Sequence, residues 1–104
     1  MYVRTKEGKI FNCFAGESMG KPVYYIKDSL TNGFIDYNEV YKVSPNIIDI
    51  VQVGDYVNGC MVINKKDDTI QIIQLIIPFD LKEKDIKSIV TKEMFANVEY
   101  KVGE

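Results

Sequence analysis

A chain with no histidine must draw any chemistry from its carboxylates, thiols, phenols and amines. Imidazole is the side chain whose unperturbed pKa lies near neutrality, so its absence excludes Ser–His, Cys–His and His–metal arrangements. Cys13 and Cys60 stand 47 positions apart with no CxxC spacing. They are too few for a zinc site, and in a reducing compartment they read as small apolar residues rather than a disulfide. The nearest carboxylate pairs are Asp67-Asp68 and Asp36 with Glu39. Neighbouring acids on a strand point to opposite faces, and Asp67-Asp68 falls in a turn-like stretch where solvated carboxylates are the rule. Gly16-Glu17-Ser18-Met19-Gly20-Lys21 approaches a phosphate loop, but lacks the Walker spacing and the Ser or Thr after the lysine, and reads as part of a flexible loop. These patterns point to a protein that is not an enzyme, with no cofactor and no metal ligand set.

The remaining chemistry is recognition. Tyr24, Tyr25, Tyr37, Tyr41 and Tyr56 crowd into or beside an acidic third, residues 28–64, which holds one basic and five acidic side chains. Tyrosine gives wide contact area at small entropic loss, and carboxylates beside it favour a basic partner. The candidate protein-binding residues are therefore Asp36, Tyr37, Glu39, Tyr41, Asp49 and Asp55. Residues 1–27 are the converse, with five basic and two acidic side chains. Arg4, Lys6, Lys9, Lys21 and Lys27, with Phe11, Phe14, Tyr24 or Tyr25 beside them, form the alternative: a groove that stacks single-stranded nucleic acid. The net charge of −2 argues against strong general affinity for nucleic acid or an anionic membrane.

The elements that must position these residues read as short strands. Tyr2–Thr5 and Lys9–Phe14 form a hairpin about Gly8, and residues 15–22 read as a loop. Strands follow at Pro22–Lys27 and Phe34–Tyr37, joined by a turn at Asp28–Gly33, with a further short strand at Val40–Val43. Ser44-Pro45 is an N-cap followed by proline at the first helical position, opening one or two helical turns through Val51. Asn58-Gly59, set between apolar residues, is the strongest hairpin signal in the chain. Lys65–Asp68 is a polar turn ahead of a long apolar strand from Thr69 to Ile77. Pro78–Lys84 reads as a charged connection and Asp85–Val90 as a strand. Thr91 caps a helical turn, and Val98–Val102 alternates as a last strand.

About seven strands and two scraps of helix describe an all-β chain, a small SH3-like barrel or rolled antiparallel sheet. At 104 residues and 46% hydrophobic composition, a single domain spanning 1–104 is the expectation. In one long strand, Ile70, Ile72 and Ile76 would share one face and Ile73, Leu75 and Ile77 the other. Such a run needs a central place or a subunit interface, the latter implying a homo-oligomer. The longest apolar stretch is too short to cross a bilayer, and the first residues hold no signal-like apolar core, so a cytoplasmic protein without membrane contact is expected.

Two stretches, Asn46–Gly59 and Ile86–Val102, resemble small uncharacterised proteins encoded by phages and prophages of Gram-positive bacteria. The resemblance carries no catalytic residues. It implies an accessory protein in the host bacterial cytoplasm that binds and inhibits or redirects a host protein, such as a nucleic-acid-binding defence enzyme of the CRISPR type. The alternative is a small barrel serving phage DNA metabolism or virion assembly. A third reading is an oligomer that sequesters a small nucleotide signal between subunits.

Overall fold

The computed structural model describes residues 1–27 and 33–97. The fold is all-β, with two five-stranded antiparallel sheets. Where length suggested one core, the chain divides into two compact units, Met1–Ile50 and Val51–Glu104, each with its own sheet. Among the described residues no helix is long and apolar enough to cross a membrane.

The first unit holds β1 (Tyr2–Thr5), β2 (Ile10–Ser18), β3 (Lys21–Ile26), β4 (Phe34–Asp36), a 3₁₀ turn (Tyr37–Glu39), β5 (Val40–Ser44) and a second 3₁₀ turn (Ile47–Ile50). The sheet order is β4-β3-β2-β1-β5. Gly8, at φ +91°, closes the β1–β2 hairpin as expected, its N–H donating to the Thr5 carbonyl at 3.0 Å. The loop expected at residues 15–22 is instead a continuous ladder with Ser18 opposite Lys21. Met19 and Gly20 both have positive φ, +53° and +78°, the primed turn whose twist matches its strands. Pro22 is tolerated because β4 pairs with β3 only from Val23 onward, leaving the proline unpaired on that side. Val3, Cys13 and Ile35 are buried together, with Phe11, Tyr24, Ile26, Val40 and Val43 packed around them.

The second unit holds β6 (Tyr56–Val57), β7 (Cys60–Lys66), β8 (Thr69–Gln74), β9 (Ile77–Lys82), a 3₁₀ turn (Glu83–Asp85), β10 (Ile89–Val90) and α1 (Lys92–Asn97). Its order is β10-β6-β7-β8-β9. The long strand expected from Thr69 to Ile77 breaks at Leu75-Ile76, which form a hairpin tip 91% and 88% exposed. Ile70 and Ile72 enter the core, while Ile77 begins the next strand. The stretch expected as a charged connection is therefore largely β9, an edge strand, where Pro78 costs little pairing. Of the strand expected at Asp85–Val90 only its last two residues are extended and paired. The strand expected at Val98–Val102 lies outside the described residues, as does most of the Asp28–Gly33 turn.

The two units follow one plan. In each, four strands run as a meander, a 3₁₀ turn follows the fourth, and the fifth returns to pair with the first; a short helical segment comes next. Inspection of the residues shows no internal repeat, because the plan is set by where the chain turns rather than by which side chains recur.

Candidate functional site

Four of the acidic-segment residues follow one another along the chain as it passes from one edge strand of the first sheet, β4, to the other, β5. Asp36 ends β4, Tyr37 and Glu39 belong to the 3₁₀ turn, and Tyr41 lies on β5; all four are exposed, Tyr37 at 45% and Tyr41 at 57%. Tyr37 is held in place by stacking on Tyr24 of β3, with ring centroids 4.6 Å apart and planes 20° from parallel. Burial and a side-chain hydrogen bond to Tyr37 push the Tyr24 phenol above its ordinary pKa. Tyr37 is thus a braced, half-exposed ring flanked by solvated carboxylates.

The other two acidic candidates do structural work. Asp55 is fully buried, so it is no contact residue. Its carboxylate accepts the backbone N–H of Gln52 at 2.7 Å and of Lys92 at 3.0 Å, tying the loop before β6 to the start of α1. Asp49 is half-buried and accepts the Ser44 hydroxyl at 2.6 Å, while that hydroxyl accepts the Asn46 N–H at 3.1 Å. Ser44 is not the N-cap expected of it: it ends β5, the 3₁₀ turn begins at Ile47 rather than at Pro45, and the Ser44 hydroxyl instead orders the Pro45-Asn46 bend ahead of the turn.

Arg4 is likewise withdrawn from the basic set, for it too is fully buried. Its Nη1 donates to the Ile50 carbonyl at 2.9 Å and so fastens the Ile47–Ile50 turn to β1. Lys6, Lys9, Lys21 and Lys27 are exposed. Lys9 pairs with Glu7 at 3.7 Å, an exposed contact of little energetic weight.

Folding brings the two sets of candidates together. Lys6, Lys9 and Glu39 rim a cleft of about 390 Å³ floored by Phe11, Ile26, Phe34 and Ile35, with the Lys6 N–H donating to the Glu39 carbonyl at 2.9 Å. Lys21, Asp36 and Tyr37 share a shallower cleft of about 270 Å³.

One feature escaped the reading of the residues. Phe14, Tyr25 and Phe34 lie directly opposite one another on β2, β3 and β4. Phe14 is 50% and Phe34 46% exposed. Phe14 stacks on Tyr25 at 5.5 Å and Tyr25 meets Phe34 edge-on at 6.1 Å. Knowing that Met19-Gly20 is a two-residue turn would have given this row, because hairpin register follows from loop length. Comparison with protein-family models, with curated proteins and with solved structures returns no match.

Proposed function

We propose that this chain is a non-catalytic, phage-derived binding protein that engages a host protein through Asp36, Tyr37, Glu39 and Tyr41. The observation that carries the reading is the joint exposure of these four residues along β4, the 3₁₀ turn and β5. Two rings supply apolar contact area at small entropic loss, and two solvated carboxylates select a basic counterpart. A defence nuclease presents such a surface where it holds its nucleic acid, which makes an inhibitor the form of the proposal. Among the described residues β4 is also an edge of its sheet, the kind of strand to which an extended segment of a partner can add.

The test compares the wild-type chain with an Asp36→Lys/Glu39→Lys double variant and with Tyr41→Ala as bait in host lysate, at low and high salt. A host protein retained by wild type at low salt, released at high salt and lost with the double variant supports the reading. Retention unchanged by charge reversal overturns the surface assignment.

A further inference from the structure

The side chain of Tyr25 lies on the other side of β3 from the Tyr24–Tyr37 stack, because the two tyrosines are consecutive on one strand; on that face Val23 is buried while Phe14 and Phe34 are about half exposed. On this face Phe14, Tyr25 and Phe34 form an unbroken row across three adjacent strands. Tyr25 lies with one ring edge over Gly16 and its hydroxyl tied to the backbone. A Cβ placed on Gly16 would come within 2.5 Å of Tyr25 Cε2, so the glycine is what lets the ring lie down on the sheet. The phenol hydroxyl donates to the Glu17 carbonyl at 2.5 Å. A ring held this way is a surface already ordered for a ligand, with little side-chain entropy left to lose.

The charge around the row is cationic on two sides. Lys27 stands two residues after Tyr25 in strand register and Lys21 four residues before it, with buried Val23 between Lys21 and the ring; both lysines are exposed. The Lys27 N–H donates to the Asn12 carbonyl at 2.8 Å, which continues the ladder beyond Phe14 and Tyr25 and places Lys27 next to the row. Among the described residues, Asp36, opposite Val23, is an acidic residue on this face and bounds it on the Lys21 side. Aromatic rings in a row, backed by a sheet and flanked by lysines, match the alternation of flat bases and phosphates in a single strand.

We infer that the Phe14–Tyr25–Phe34 row, with Lys27 and Lys21, is a stacking platform for single-stranded nucleic acid. It takes two or three unpaired bases on the rings while the lysines meet phosphates. The inference stands on different residues from the protein-binding set, and the two surfaces meet where Lys21 shares a cleft with Asp36 and Tyr37. A duplex is not a ligand, because its bases are already stacked and cannot reach the rings.

The test uses the full chain and end-labelled ten-nucleotide dT and rU oligomers, read by fluorescence anisotropy at about 50 and about 200 mM salt. Both oligomers should bind more tightly than a duplex of the same length, by tenfold or more. Phe14→Leu and Phe34→Leu, which keep apolar bulk and remove the ring, should each weaken binding by about 5- to 100-fold. Lys27→Gln should weaken it less and lower the slope of log K against log salt by about 0.7. Tyr25→Phe keeps the ring and should bind within a few fold of wild type. Circular dichroism and melting temperature of each variant separate loss of stacking from loss of fold. Absence of single-strand binding at the lower salt, equal binding of duplex, or full affinity in the folded Phe14→Leu/Phe34→Leu double variant overturns the platform. Capture of a proline-rich peptide or an oligosaccharide by the same rings, with no oligonucleotide bound, overturns it as well.

Discussion

Arg4 shows how one side chain can leave a functional list and enter a structural one. Its position in a basic N-terminal segment says surface, yet β1 lies inside its sheet between β2 and β5, and the Ile47–Ile50 turn is bonded to the Arg4 side chain. Arg4→Met should cost about 2 kcal/mol, because the Ile50 carbonyl loses a charged donor inside the protein; a urea titration checks this. Tyr24 gives a second prediction. Its phenol is neutral in both states at pH 7, and burial and the Tyr37 bond hold it neutral to higher pH in the folded chain than in the unfolded one. The unfolded chain therefore releases its proton first as pH rises through about 10. Stability that is whole below that pH declines above it, toward the folded pKa. Subtracting the tyrosinate absorbance of Tyr24→Phe from that of wild type should give a curve displaced to higher pH than that of a free phenol. Neither Arg4 nor Asp55 announces its burial in sequence, since what buries each is a segment 46 or 37 residues away.

Turns with chemical signatures were legible, and those without were not. Asn58-Gly59 and Thr91 do what residue type implies: the Thr91 hydroxyl accepts the Met94 N–H at 3.4 Å, and Asn58 takes φ +53° ahead of Gly59 at +81°, whereas Ser44-Pro45 marks the right turn two residues early. Leu75-Ile76 carries no such signature, because an apolar pair with leucine at the left-handed position reads as more strand; around Met19-Gly20 the polar, glycine-containing stretch reads as a long loop, which hides how short the turn is. Leu75 at φ +58° and 91% exposure pays steric cost for no packing. Leu75→Asn should therefore stabilise the chain by roughly 0.5–1 kcal/mol, seen as a higher melting temperature. Asn58 does more than turn. Its Oδ1 accepts the N–H groups of Lys87 and Ser88 at 2.8 and 3.1 Å, and its Nδ2 donates to the Asp85 carbonyl at 2.9 Å. Asn58→Gly keeps the backbone and loses this clip, at about 1 kcal/mol, while Asn58→Ala should cost roughly 1 kcal/mol more for the positive φ. In both variants hydrogen exchange should accelerate at Lys87 and Ser88.

For the molecule as a whole, composition and turn spacing were enough for the all-β class, but not for the division into two units of one plan. Length gives only a size, and the plan resides in pairings between β1 and β5 and between β6 and β10, which no local pattern encodes. The division has a measurable consequence. In native-state hydrogen exchange, Arg4→Met should lower protection within residues 1–50, and Asp55→Ala within residues 51–97; loss spread evenly over both would contradict two separately organised sheets. The returning fifth strand also bears on synthesis. β1 emerges first and has its second neighbour only when β5 is made, some forty residues later, a non-local closure that folds slowly. A ribosome adding about 5–20 residues per second leaves roughly 2–9 s between completion of the first sheet and that of the second. Two sheets of like topology in one chain are a standing opportunity for mispaired strands, and vectorial translation separates them in time, so that β5 has met β1 before β10 exists to compete for it.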